Sequence, residues 1–252
     1  MEINPAKEVK KITDFLKTTF KSQGFKKGIV AVSGGIDSSV ALALAVNALG
    51  KDNIYTLELP YKRQSIYYST LIINQLKIPT NQKIIIKLSR SVDKLAIKLN
   101  AKKNRLRFGN ILARTRMTCL FDQSKKLKTL VIGTENKSEK LLGYYTRFGD
   151  EASDINPISH LYKLQIIKLA KYLKIPPKII SQAPSAGLWK DQTDEKELGF
   201  SYLKADPILK LLIDKKIKPK EIIKQGYDKT LLDKITKRLL TVDFKTKVPY
   251  HI

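Results

Sequence analysis

Seven consecutive residues carry the sharpest chemical signal in the sequence: Ser33-Gly34-Gly35-Ile36-Asp37-Ser38-Ser39. They follow an apolar run, Ile29-Val30-Ala31-Val32, and precede Val40-Ala41-Leu42-Ala43-Leu44, so the order predicts a strand, a glycine turn and a helix start. Two glycines let the backbone approach a ligand closely, and the first N–H groups of a helix have no partner within it, so this geometry suits phosphate. Ser33, Ser38 and Ser39 add hydroxyl donors. Asp37 beside phosphate oxygens is repelled unless a divalent cation lies between them, which points to Mg2+. A helix N-cap of the Ser or Asp type explains one or two of these residues but not the glycine pair with all the rest. The lysine of the Walker A pattern is absent.

Three later blocks have types and spacing worth noting. The first is Gly109-Asn110-Ile111-Leu112-Ala113-Arg114-Thr115-Arg116-Met117, where the arginines, two apart, face different sides of a helix, one suited to a phosphate and the other to structure. The second runs Gly133-Thr134-Glu135-Asn136-Lys137-Ser138-Glu139, then Gly143-Tyr144-Tyr145-Thr146-Arg147-Phe148-Gly149-Asp150, then Asp154, Pro157, Leu161 and Lys163. Gly133 and Thr134 close a strand, where open α/β sheets place their ligands. An isolated Glu139 in a Lys-rich chain reads first as a surface ion pair. The third is Pro184-Ser185-Ala186-Gly187-Leu188-Trp189, followed by Gln192, Asp194, Glu195, Glu197, Leu198, Gly199, Ser201, Tyr202 and Asp206. Its Gly-rich, polar character suits a mobile lid, and Trp189 alone reads as a core or interface aromatic.

The elements that must position these blocks alternate. Val9, Ile12, Phe15, Leu16 and Phe20 share a face of an opening helix over about 5–20 that Gly24 ends. Runs rich in β-branched residues predict strands over 28–33, 53–59, 83–89 and 129–133, separated by helices over 37–49, 65–76, 91–100 and 110–123. The alternation argues for a doubly wound, Rossmann-like α/β fold with a parallel sheet. Beyond about residue 190 strands give way to Lys-rich helices, over 206–213, 218–225 and 229–240, expected to pack on the sheet as part of one domain spanning 1–252. No internal repeat or low-complexity linker is evident.

Composition narrows the chemistry further. With 42% hydrophobic residues in 252, the chain can bury a sizeable core. Residues 1–10 are polar, without a signal-like apolar run, and no stretch is long and apolar enough for a bilayer, so a cytoplasmic protein with no membrane partner is expected. Cys119 is the only cysteine and His160 and His251 the only histidines, which leaves no internal disulfide, no CxxC pair and no multi-histidine metal centre. The net charge of +25 raises nucleic acid as a partner. The lysines are spread along the chain, however, and read more simply as solvated helix faces.

The loop resembles the SGGxDS loop of the ATP pyrophosphatase superfamily, whose members cleave ATP between the α and β phosphates. Within it the later blocks are similar to the GNxxARxRM, GTxNKSE, GYxTxxGD, DxxPxxxLxK and PSAxLxxxQxDExELGxSYxxxD segments of ammonia-dependent NAD synthetases, in the same order. The resemblance spans about 6–249 and departs at one place. The family's HKRxxP reads Phe244-Lys245-Thr246-Lys247-Val248-Pro249 here, keeping the first Lys and the Pro.

This resemblance implies an adenine nucleotide alpha hydrolase-like fold and ATP-dependent amidation of nicotinic acid adenine dinucleotide by ammonia through an acyl adenylate, with no glutaminase domain. It assigns catalytic roles to Asp37, Asp154 and Lys163, and Mg2+ to Asp37 and Glu139, reversing the surface reading of Glu139. It assigns ATP to Ser33, Gly34, Gly35, Asp37, Ser38, Ser39, Arg114, Thr134, Lys163 and Ser185. The dinucleotide goes to Asn110, Arg114, Tyr144, Tyr145, Asp150, Asp154 and Lys245, with Tyr144 or Tyr145 stacking on the pyridine ring, and Arg147 receives no role. A homodimer is implied as well. Cys119 reads as a small buried hydrophobe. The competing readings are a tRNA thiolase or lysidine synthetase, which the loop and charge allow but the single cysteine and the GNxxARxRM block oppose, and a non-catalytic nucleic-acid binder, which would not retain both Asp37 and Glu139.

Overall fold

A computed structural model of the chain describes residues 1–189 and 191–246; Lys247, Pro249 and His251 lie outside them. Four parallel strands, β1 (Gly28–Ala31), β2 (Ile54–Glu58), β3 (Lys83–Ile85) and β4 (Leu130–Val131), form a sheet of order β3-β2-β1-β4. Successive side chains go to opposite faces, as the pleat requires. Val30, Ile54 and Ile132 join a core with α1 (Pro5–Ser22), α2 (Ile36–Leu49), α3 (Tyr67–Gln75) and α7 (Lys163–Tyr172). Ile29, Leu57 and Val131 join another with α4 (Ser89–Lys98) and α5 (Arg105–Leu127). The doubly wound α/β reading is therefore correct.

Each face explains its sequence pattern. Helix α2 lies between the sheet and the α1 and α7 helices, so Val40 to Ala45 are all buried and the segment is apolar all round. Helix α1 is amphipathic and buries Ile12, Leu16 and Phe20, whereas Phe15, expected on that face, is 47% exposed. Helix α5 begins earlier than expected because the Asn104 side chain caps it, accepting from Arg107 N–H at 3.0 Å. The strands are shorter than their β-branched runs. β3 ends at Ile85, leaving Ser89 to begin α4, and β4 keeps two residues before a single bridge from Ile132 to Ile155 extends its edge.

The C-terminal part differs from expectation in what it packs on. Between the sheet domain's last helices, α6 (Lys137–Leu142), α7 and α8 (Pro177–Ile180), and the chain end lie α9 (Asp194–Leu198), α10 (Tyr202–Leu209), α11 (Pro219–Lys224) and α12 (Lys229–Thr246). They build a third core from Tyr202, Ala205, Ile208, Leu209, Ile222, Leu232 and Ile235, which closes chiefly on α6 and α7, not on the sheet. The helix expected from 206 begins earlier: α10 starts at Tyr202, which is buried with Ala205, carries Pro207 inside it, and continues as a π-helical turn over Lys210–Asp214. No helix among the described residues is long and apolar enough to cross a membrane.

This topology creates a switch point. The chain moves from β1 outward to β2 and β3, then returns to place β4 on the other side of β1, so the connections after β1 and β4 leave in opposite directions and open a crevice at their carboxyl ends. Ser33–Ser39 leave β1 there, and Gly133–Glu139 leave β4.

Candidate active site

The phosphate loop is shaped by its neighbours. Gly34 has φ +84°, and a Cβ there would lie 2.7 Å from Ser69 N and 2.9 Å from Tyr68 Cβ, so both the conformation and the space demand glycine. Gly35 caps α2 without a side-chain bond, while Ser38 and Ser39 donate back to the Gly35 carbonyl at 3.1 and 2.8 Å and Ser33 Oγ meets Ser38 Oγ at 3.1 Å. The first N–H groups of α2, having no carbonyl one turn earlier, face the crevice as donors for an anion.

Across the crevice, α6 and α7 bring charge to the loop. Lys163 is the first residue of α7 and 3% exposed, and its ammonium bonds Asp37 Oδ2 at 2.6 Å and Glu139 Oε1 at 2.9 Å. Asn136, fully buried, donates to Asp37 Oδ1 at 2.8 Å and caps α6 by accepting from Glu139 N–H at 3.0 Å. Burial alone would lower the Lys163 ammonium, but the two carboxylates outweigh it and hold it above its usual range. Burial pushes the Glu139 carboxyl up, with Lys163 pulling the other way. Asp194, also buried, accepts from Tyr202 OH at 3.1 Å and adds a third negative group near Lys163.

Asp37 and Glu139 thus converge on one cation, and a pair of carboxylates completed by substrate phosphates is the usual protein share of a Mg2+ site. No larger group of His, Cys, Asp or Glu able to hold a metal occurs among the described residues. The oxygen donors fit Mg2+ by chemistry and number.

The other predicted residues form a second group. Asn110 accepts from Thr146 Oγ1 at 3.1 Å, and Asp150 accepts from Thr146 N–H at 2.9 Å. Arg114 reaches the Arg147 carbonyl at 3.1 and 3.2 Å, tying α5 to the 143–150 loop, while Arg116 turns inward to Leu59 O and Gln64 Oε1, its guanidinium pushed down to about 10 by burial. Lys245, in the last turn of α12, donates to the Gly143 and Tyr145 carbonyls, both at 2.7 Å, and stands 5.0 Å above the Tyr145 ring. Of these, Tyr145 and Lys245 line a cavity of about 270 Å³ together with Glu135, Lys140 and Glu151. The Glu135 carboxyl there is pushed up to about 8, chiefly by burial. Tyr144 links the groups: its phenol lies near Asp194 and within 3.5 Å of Gln192 Nε2.

Not every predicted residue joins the cluster. Asp154 lies on the outer edge of β4, accepting from Val131 N–H at 2.7 Å, and Thr134 follows the end of that strand. Ser185 is exposed and accepts from Gly187 N–H at 3.1 Å. Its segment lies over α5 and the phosphate loop, with Gln64 donating to the Gly187 carbonyl and Gln182 to the Gly34 carbonyl, while Gly109 leaves room for Leu188 and Trp189. Cys119 is half-buried against the α5 face of the core, its thiol raised by burial. Asn136, Ser138, Asp194 and Asp206 were not singled out for roles from sequence. Only Asn136 had a local signal, the N-x-x-E capping pattern ending at Glu139.

Comparison with known proteins agrees with this geometry. A family model described as NAD synthase matches residues 8–249. An NH3-dependent NAD+ synthetase of Fusobacterium nucleatum is 39% identical, over 99% of this chain and 96% of that protein. Among solved structures, the NH3-dependent NAD synthetase of Campylobacter jejuni in complex with nitrate is 32% identical with a TM-score of 0.83, covering 99% of this chain and 100% of that one. The NMN synthetase of Francisella tularensis is 29% identical with a TM-score of 0.86, covering 100% and 99%. With matched motifs, matched fold and nearly complete coverage, the chain belongs to the NAD synthase family.

Proposed function

We propose that the chain forms NAD from nicotinic acid adenine dinucleotide, ATP and ammonia. The observation that carries this reading is the Asp37–Lys163–Glu139 cluster facing the phosphate loop across the switch-point crevice. ATP is the substrate whose polyphosphate lies on the N–H groups of α2 and the hydroxyls of Ser33, Ser38 and Ser39. A carboxylate oxygen of the nicotinate bonds to the α-phosphorus as the bond to the β-phosphate bridging oxygen breaks, releasing pyrophosphate. Ammonia then bonds to the carboxyl carbon, AMP leaves with the bridging oxygen, and the nitrogen loses a proton.

The protein's contribution is electrostatic. Negative charge grows on the departing pyrophosphate, and fixed donors aimed at it stabilise the transition state without reorganising. Lys163 supplies a permanent positive charge, because its two carboxylate partners keep it protonated. Asp37 and Glu139 would hold Mg2+, which neutralises the polyphosphate when bound. The dinucleotide is assigned to Asn110, Tyr144, Tyr145, Asp150 and Lys245, with Arg114 behind them on the Arg147 carbonyl and Asp154 at the edge of β4. A homodimer in the cytoplasm completes the reading; Leu99 and Leu106, 48% and 67% exposed on either side of the α4–α5 turn, are apolar surface suited to a second copy.

Free ammonia is the proposed nitrogen source. The relative from F. nucleatum is named for it, and Cys119, mid-helix with a raised thiol, is a poor nucleophile for glutamine. The test measures NAD and AMP from the dinucleotide with ammonium or ammonia-free glutamine, and NMN and AMP from nicotinic acid mononucleotide with ammonium, the comparison set by the likeness to an NMN synthetase. The dinucleotide with ammonium is expected to give the highest kcat/KM, and Cys119→Ser to leave it unchanged. Equal rates with glutamine, lost in Cys119→Ser, would overturn the donor; a higher kcat/KM with the mononucleotide would overturn the substrate.

A further inference from the structure

Asp206, on α10, is far in sequence from every residue given a role above, yet it is completely buried beneath Lys163 and bonded on both carboxylate oxygens. Oδ2 accepts from Leu164 N–H at 2.8 Å. Oδ1 accepts from Ser138 Oγ at 2.6 Å, and Ser138 Oγ in turn accepts from Lys163 N–H at 2.9 Å. The two backbone N–H groups flanking the Lys163 Cα therefore end on one network. Its other anchor is Ser138, the residue before Glu139. One turn earlier on α10, Tyr202 places its ring 5.3 Å from the Lys163 ammonium and its hydroxyl on Asp194.

We infer that Asp206 is a positioning residue, which through Ser138 and the first turn of α7 holds Lys163 and Glu139 at the spacing that meets Asp37. This rests on the ligase reading above. Asp206 and Ser138 cap α7, taking its first two unpaired N–H groups, while Gln165 Oε1 accepts only from Tyr162 N–H at 3.0 Å; they do more than cap because the same network ties that turn to Ser138, next to Glu139. A carboxylate is required because both oxygens accept. In Asp206→Asn one of the two sites becomes an N–H donor facing Leu164 N–H or Ser138 Oγ, and the ring from Ser138 to Lys163 loosens. Groups that orient a metal's ligands from behind typically change metal affinity or rate by about 10-fold to 100-fold when altered.

The test uses Asp206→Asn, Ser138→Ala and the double variant in the full chain. One readout is the Mg2+ concentration giving half-maximal thermal stabilisation by ATP, and the other is the split between kcat and KM for ATP. Asp206→Asn should raise the Mg2+ half-point about 10-fold and lower kcat by at least as much with little change in KM. Ser138→Ala should move both in the same direction, and the double variant should fall close to Asp206→Asn alone, since both act on one path. A folded Asp206→Asn with the parent Mg2+ half-point and kcat overturns the inference, as do additive losses in the double variant. If Asp206→Asn fails to fold, Ser138→Ala decides, and a parent-like half-point there overturns it. Stabilisation by Mg2+ and ATP needs no amidation, so a parent protein that binds both yet makes no NAD refutes the function and not this role.

Discussion

Replacing Lys163 by Met tests the cluster through folding alone. The ammonium is 3% exposed and bonds two carboxylates at 2.6 and 2.9 Å, so its removal leaves Asp37 and Glu139 facing each other without a counter-charge. Breaking a buried pair in this way costs about 3–5 kcal/mol, or a fall in Tm of roughly 6–20 °C for a chain of this size. The loss depends on pH, because Glu139 can escape its charge by taking a proton. Burial already raises its carboxyl, and losing Lys163 raises it further. A group whose folded value lies above its unfolded one contributes stability that is complete below the unfolded value and is lost as pH rises through the folded value. The variant has the higher folded value, so it goes on losing stability after the parent has levelled off. The gap between them should therefore widen from pH 6 to pH 9.5, reaching the full 3–5 kcal/mol only at the alkaline end, with about 1–2 kcal/mol at pH 6 for the charged hydrogen bonds lost. Urea unfolding of both proteins at each pH measures this. Adding Mg2+ at pH 9 should narrow the gap, since it replaces the missing charge. A gap below about 1 kcal/mol, or one that does not change with pH, would refute the buried three-group cluster.

Two further outcomes follow from the loop. Asp37→Ala should abolish turnover while the far-UV spectrum and cooperative unfolding persist, because Glu139 still partners Lys163; full activity in this variant at saturating Mg2+ contradicts the assignment of Asp37. Gly34→Ala should cost about 1–2 kcal/mol for the left-handed backbone alone and more for the 2.7 Å approach to Ser69 N. It should also abolish stabilisation by ATP, a result that calorimetry checks directly.

The sheet and the phosphate loop were legible because their signals are contiguous. Ile29 to Val32, two glycines and Val40 to Leu44 report strand, turn and helix within sixteen residues, while the switch point needed the strand order, which alternation does not fix. Strand ends were not legible: β4 pairs with β1 only at Leu130 and Val131 although β1 runs on to Ala31, and Ile132 bridges Ile155 instead, a tertiary choice that a β-branched run does not report. The pairing of Asp37 with Glu139 followed from the resemblance, but what holds them did not. Asn136, Ser138, Lys163 and Asp206 meet only because α6, α7 and α10 pack together. The helical tail was expected on the sheet for the same reason, as its apolar stripes do not say which surface they cover. Arg114 and Arg116 show the opposite case. Their two-residue spacing predicts divergent roles, and the structure gives one the loop carbonyl of Arg147 and the other a buried seat against Gln64.

The central claim is that the nicotinate carboxylate, activated as an acyl adenylate by ATP, is the group amidated. The direct measurement labels both carboxylate oxygens of nicotinic acid adenine dinucleotide with oxygen-18 and weighs the nucleotides formed with ATP, Mg2+ and ammonium. The account predicts one labelled oxygen in the phosphate of every AMP released, none in pyrophosphate, and one retained in the NAD carboxamide. Label in orthophosphate accompanied by ADP, or AMP without label, would contradict it.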